Sequence, residues 1–204
     1  MRVQLISNSP DPFWLVVKAA RECYSSDSTS LKSDDKLFLS MLKRDETPLE
    51  HAVFSFRISD VSRVLTHQLV RHRVASFNQQ SQRYVEAEGR YFIPDLSYLS
   101  EDKHKPFLDS YHRLMLRAND LYHEAINDGV KREDARYILP PCTYSSLVMT
   151  MNLRELKRFF ALRLSPRAQK EIRDLARIVL SLVVSCLPIH LAEEITSIML
   201  GTKE

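Results

Sequence analysis

The sequence predicts an α+β fold: a single domain spanning residues 1–204, with a mixed β-sheet flanked by helices. Three observations predict it. Several segments place apolar residues at helical spacing behind a capping side chain, and others alternate bulky and polar residues with the period of a strand. No repeat, low-complexity tract or linker divides the chain, and only three glycines are spread along its 204 residues.

Asp11-Pro12 puts a capping carboxylate before a proline at the first helical position, predicting a helix to about Tyr24. The serine-rich stretch Ser25 to Ser33 reads as a loop free to move, followed by a helix from Asp34 to Arg44. Val53 to Ile58 alternates as a half-buried strand. Asp60 is then expected to cap a helix whose apolar face is Val61, Val64, Leu65 and Leu69. Ser76 to Ser81 reads as a turn, with extended segments through Tyr84 and from Tyr91 to Ile93, ended by Pro94. A long helix is expected from Pro106 to Gly129 and a short one from Arg132 to Leu139. Tyr144 to Met151 follows as a strand. Asn152, with Glu155 three residues on, opens a helix to Arg163. Ser165-Pro166 starts the last long helix, whose stripe Ile172, Leu175, Ile178, Val179 and Leu182 reads as core or subunit interface.

Composition narrows the function classes. Hydrophobic residues at 44% and charged residues at 27% are those of a folded domain, not a disordered chain. A net charge of +3 is too small to imply nucleic-acid binding by itself, and no nucleic-acid partner is expected. Cys23, Cys142 and Cys186 lie far apart, with neither a C-x-x-C pair nor other metal-ligand spacing, which fits a reducing cytoplasm and no metal. The N-terminus lacks a signal-peptide pattern. The most apolar stretch, Ile178 to Leu191, is shorter than the roughly 20 residues of a membrane span and reads as a buried helix, so no membrane association is expected.

Chemistry concentrates between Val61 and Val85. Arg63, Arg71, Arg73 and Arg83 lie there with His67 and His72, and no acidic residue intervenes. Arginine offers a planar fork of donors suited to phosphate, so the segment can hold a phosphorylated ligand. A generic Arg-His-Arg triplet is more often a solvated basic face. Here Arg71-His72-Arg73 is followed seven residues later by Ser81 and then by Gln82-Arg83-Tyr84. This segment resembles the signature of the flavin-dependent thymidylate synthases. Glu46-Thr47-Pro48-Leu49-Glu50-His51, the segment Arg132 to Pro140, Asn152-Leu153-Arg154 and Arg163 resemble the same family in the same order.

That resemblance implies an enzyme converting dUMP to dTMP with 5,10-methylenetetrahydrofolate as one-carbon donor, reduced FAD as hydride donor and NADPH as reductant. It also implies a homotetramer with active sites at subunit interfaces, half a site per subunit. Thr47, Arg71, His72, Arg73, Gln79, Asn152, Leu153, Arg154 and Arg158 look like FAD contacts. Gln68, Leu69, Val70, Arg71, Gln79, Gln80, Ser81, Gln82, Arg83, Arg136 and Arg163 look like dUMP contacts. Arg163 is the catalytic candidate, assisting ionisation at N3 of the pyrimidine. Asp45 stands where many members have histidine and Gln79 where many have glutamate. Arg158 and Arg167 stand where Asn or His is commoner, and Arg167 is left out of the predicted site.

Two rival readings compete. Leu139-Pro140-Pro141-Cys142 resembles the Pro-Cys of the cysteine-dependent thymidylate synthases, but Thr143 follows where that family has histidine. A nucleic-acid-binding module would use the Val61 to Val85 patch on phosphates. Ser81 has no His-Asp relay in sequence and is expected to bind rather than to attack.

Overall fold

Among the described residues four strands form one sheet in the order β1-β2-β4-β3: β1 is Arg2–Asn8, β2 Val53–Ser62, β3 Ser76–Gln79 and β4 Tyr144–Asn152. The coordinates are those of a computed structural model, and the structure describes residues 1–201. Every neighbouring pair is antiparallel, so the sheet is not mixed as predicted, although the α+β class holds. The connections explain this. β1 reaches β2 through two helices, α1 (Pro12–Glu22) and α2 (Leu31–Arg44), and β3 reaches β4 through α4 (Glu101–Asn127) and α5 (Arg132–Ala135). Both connections return the chain to a neighbouring strand running the opposite way.

The sheet is two-faced because its strands alternate. Phe54, Phe56 and Ile58 of β2 and Leu147, Met149 and Met151 of β4 point to one side and are buried. Against them pack α1, α2, α6 (Leu153–Arg163), α7 (Lys170–Val184) and α8 (Ala192–Leu200), giving one contiguous core. The opposite face is polar, with Ser55 and Thr150 hydrogen-bonded across the strands at 2.8 Å. Helix α4 stands apart: only Met115 and Tyr122 are buried along its 27 residues, and neither joins the main core.

Several predicted boundaries move. β1 has no counterpart among the predicted elements. Ser30, not a later residue, caps α2, accepting a hydrogen bond from Ser33 N at 3.3 Å. The serine-rich loop before it is pinned: Arg21 donates to Asp34, to Ser33 Oγ and to the Asp27 carbonyl, and Ser28 donates to Asp34. Asp60 is not a cap. It sits at φ 56° in a bulge of β2, held by Arg90 at 2.7 Å, and the strand continues to Ser62, which caps α3 (Arg63–Leu69).

Ser76 to Gln79 is an edge strand rather than a turn, because its backbone completes the ladder of β4. Tyr84 lies in a turn, and Tyr91 makes one isolated bridge to Thr143. Helix α4 begins at Glu101, a turn before Pro106. The Ser165-Pro166 segment precedes α7 without opening it, and α7 is not last. Pro188 lacks the N–H needed to continue, so the apolar stretch from Ile178 is broken before α8. Of the α7 stripe, Ile172, Leu175 and Val179 are fully buried in the core, Leu182 is half-buried and Ile178 is exposed. No helix among the described residues is long and apolar enough to cross a membrane.

Candidate active site

The predicted residues gather in three groups, positioned by α3, α6 and the segment around α5. Helix α3 starts where Ser62 Oγ accepts from Leu65 N at 3.0 Å while donating to the buried carboxylate of Glu171 at 2.6 Å. The Ser62 backbone N–H also donates to Glu171, at 2.8 Å. This relay fixes the helix whose end carries Gln68 and leads into Arg71 and His72.

Helix α6 begins with Asn152 Oδ1 accepting from Glu155 N at 2.9 Å and ends at Arg163. Arg163 donates from Nε to His72 Nε2 at 2.9 Å and from Nη2 to the Gln68 carbonyl at 3.1 Å. Burial, and then the Arg163 charge, push the His72 imidazole down to about 4, so it is neutral at pH 7. Burial also lowers Arg163 itself, which stays charged because arginine starts so high.

The second group surrounds the first turns of α6. Arg154 donates to Glu50 at 2.5 Å, and Arg158 meets Asp45 at 3.2 Å. Asp45 caps the end of α2 at φ 60°, and Thr47 lies just beyond it, exposed. The glutamate hydrogen bond raises the Arg154 pKa. Asp45 and Arg158 thus complement each other in charge.

The third group joins Arg83 and Arg136 around one residue. Glu133 accepts Arg83 Nη2 at 2.9 Å through its carboxylate and Arg136 Nε at 3.0 Å through its carbonyl. Ser81 Oγ accepts from Arg83 N at 3.2 Å and closes the turn. Arg63 lies near Arg136, and burial and then that like charge lower its pKa.

Some predicted residues stand differently. Gln79 donates to Thr66 and to Ser145 at 3.2 and 3.1 Å, so its amide braces β3 against the core. Leu69 and Leu153 are fully buried, which leaves only their backbone for a ligand. Val70, Arg71 and Arg73 are exposed, and among the described residues neither arginine has an acidic partner. A cleft of about 530 Å³ opens on the polar face of the sheet, but of the predicted residues only Gln80 and Gln82 line it. Sequence reasoning assigned no role to Glu133, Glu171 or Gln169, whose side chain accepts from Gln68. Their only signal is tertiary.

The rivals fare poorly. Cys142 faces Met115 Sδ at 3.0 Å and the Tyr111 hydroxyl, whose pKa is raised by burial first and then by the thiol. A thioether and a phenol are neighbours that do not stabilise a thiolate. The basic segment is not one solvated face either: Arg63 is half-buried and Arg83 is paired.

Comparison with known proteins shows the family. The family described as Thymidylate synthase complementing protein matches residues 4–189. A flavin-dependent thymidylate synthase of Geobacter sulfurreducens is 41% identical over 199 residues, covering 92% of this chain and 84% of its own length. That of Pyrococcus abyssi is 41% identical over 190 residues, covering 86% and 76%. Among solved structures, the UMP/dUMP methylase PolB from Streptomyces cacaoi bound with 5-Br UMP superposes with a TM-score of 0.84 at 30% identity, covering 97% of this chain and 94% of that one. Its complex with 5-Br dUMP gives a TM-score of 0.83 at 29% identity, covering 94% and 93%. With its arginine groups and signature segment in this fold, the chain belongs to the flavin-dependent thymidylate synthases.

Proposed function

We propose that the three arginine groups form the FAD and dUMP halves of one active site, completed by neighbouring subunits of a homotetramer, in an enzyme that methylates dUMP to dTMP. The observation that carries this is the surplus of donors. Arg71 and Arg73 lack acidic partners among the described residues, and Gln82 Nε2 is buried without a hydrogen-bond partner. Such donors fit anionic ligands, since each charge-assisted bond contributes about 1.5–3 kcal/mol.

In this reading Thr47, Arg71, His72, Arg73, Asn152, Leu153, Arg154 and Arg158 hold FAD, the last two kept extended by Glu50 and Asp45. Gln68, Leu69, Val70, Gln80, Ser81, Gln82, Arg83 and Arg136 hold dUMP, and the PolB nucleotide complexes support a uridylate ligand. Gln79, anchored to Thr66 and Ser145, borders both ligands. When bound and reduced by NADPH, the flavin supplies the hydride that completes the methyl group. The chain's own task is electrostatic: Arg163 keeps a fixed cation beside the pyrimidine, favouring negative charge at N3 while C5 attacks the methylene of 5,10-methylenetetrahydrofolate. One methylene C–N bond breaks as the C5 bond forms, C5 then loses its proton, and tetrahydrofolate leaves through the second C–N bond.

The homotetramer finds support in the exposed apolar residues of α4, and the unpaired thiols fit a cytoplasmic enzyme. Tritium release from C5-labelled dUMP, with 5,10-methylenetetrahydrofolate and NADPH, tests the function on protein stripped of flavin. Release that depends on added FAD is the expected outcome. Release without FAD would return Cys142 to the mechanism, and no release in either sample would remove the assignment.

A further inference from the structure

The arginines of the site are held differently: Arg71 and Arg73 meet no carboxylate among the described residues, and Arg136 meets the main-chain carbonyl of Glu133. Arg83, Arg154 and Arg158 each meet a carboxylate, that of Glu133, Glu50 and Asp45 respectively. Arg163 meets none among the described residues; its acceptors are the ring nitrogen of His72 and the main-chain oxygen of Gln68. A carboxylate in that position would hold the guanidinium equally well but would cancel the charge the pyrimidine has to feel. A neutral imidazole holds it without cancelling it.

We propose that His72 is the positioning residue for Arg163: a neutral imidazole acceptor that, with the Gln68 carbonyl, fixes the guanidinium while leaving its charge uncompensated. The proposal rests on the reading of Arg163 as the catalytic arginine. For Nε2 to accept from Nε–H of Arg163 at 2.9 Å, it must carry the lone pair, which puts the ring proton on Nδ1. The ring is itself immobilised edge-on against Phe159, with centroids 5.1 Å apart and planes at 80°. Phe159 lies one turn before Arg163 on α6, so one helix supplies both the arginine and the surface that orients its acceptor.

Burial and the Arg163 charge keep the imidazole unprotonated at neutral pH. The carbonyl of Gln68 lies in the last turn of α3, where helix carbonyls carry partial negative charge. These contacts engage the side edge of the guanidinium, Nε and one hydrogen of Nη2. The end-on edge, formed by Nη1 and the remaining Nη2 hydrogen, is left for the ligand.

Three variants test this: His72→Phe keeps a ring against Phe159 without an acceptor, His72→Gln restores a neutral acceptor of similar reach, and Arg163→Ala removes the arginine. Each is assayed by FAD-dependent tritium release at saturating FAD, beside a flavin titration and thermal unfolding. His72→Phe should lower kcat about 10- to 100-fold with little change in the KM for dUMP, and His72→Gln should recover to within about fivefold of wild type.

A His72→Phe enzyme within about twofold of wild type, or a His72→Gln enzyme as slow as His72→Phe, overturns the proposal. So does a loss that saturating FAD repairs, because His72 would then be a flavin contact only. Arg163→Ala separates this failure from that of the underlying reading. If it is inactive while His72→Phe is normal, only the role of His72 falls; if it turns over normally, the catalytic role of Arg163 falls with it. Should His72→Phe fail to fold, nitrogen-15 NMR of histidine-labelled wild-type protein decides the matter. The proton should reside on Nδ1 of His72 at pH 7, and an Nε2–H tautomer overturns the proposal.

Discussion

Arg73 and Arg154 carry the same charge in opposite surroundings, and the difference predicts how each responds to removal. Arg154 has Glu50 and Asp45 beside it, so its loss would leave two carboxylates uncompensated near an anionic ligand. Arg73 is exposed and without an acidic partner among the described residues, so on the proposed reading Arg73→Ala deletes ligand contacts and little else. Loss of one charge-assisted bond of about 1.5–3 kcal/mol should weaken FAD binding roughly 10- to 100-fold with stability unchanged. An unaltered flavin titration would remove Arg73 from the site. His72 makes a prediction of opposite character, on stability. Its pKa falls from 6.5 to about 4 on folding, so between those values the unfolded chain binds more protons. Stability due to the neutral ring is therefore complete above pH 6.5 and is lost as pH falls towards 4. In urea unfolding, wild type should lose stability relative to His72→Phe between pH 7 and pH 4.5. A constant difference would mean the ring is not held neutral.

At the scale of elements, the ends of helices carry the site, and one carboxylate controls the end that matters most. Glu171, in the first turn of α7, accepts both the Ser62 N–H and hydroxyl, and that hydroxyl caps α3. Glu171→Ala would strand two buried donors at about 1–3 kcal/mol each, so a loss of about 3 kcal/mol in urea unfolding is expected. Glu171→Gln, which keeps one acceptor, should lose about 1 kcal/mol. Equal stability of all three proteins would show that α3 is capped by other means. Local signals of this kind were largely legible in the sequence. Asp11 and Asn152 cap as their spacing predicts, because a cap involves only residues three apart. Asp60 carries the same local signal yet lies in a bulge, because its carboxylate is taken by Arg90, 30 residues away. β3 escaped notice because a polar edge strand of four residues has little period of its own and exists through pairing with β4. Within the site the arginines could be named, but Glu133 and Glu171 could not. Their roles arise from contacts 50 and 109 residues apart, which no local pattern encodes.

For the molecule as a whole, α4 is the element that one chain leaves unfinished. Its 27 residues extend about 40 Å, a length that few other elements cover. Phe107, Leu114 and Leu121 are 50%, 62% and 41% exposed and recur every seventh residue, so they fall on one seam of the helix. Such a seam suits a second helix of the same kind, as a symmetric assembly would provide. The site is unfinished in the same sense, since the cleft of about 530 Å³ meets only Gln80 and Gln82 of the predicted ligand residues. If one assembly completes both, breaking the helix seam must also break catalysis. The double variant Leu114→Glu, Leu121→Glu should then sediment as a smaller species than wild type. Its fold should persist, because neither side chain belongs to the main core, and its FAD-dependent tritium release should fall in step with dissociation. Raising protein concentration should restore both together by mass action. A double variant that sediments like wild type with normal turnover would place any interface on another face. One that dissociates yet turns over normally would show that a single chain holds a complete site.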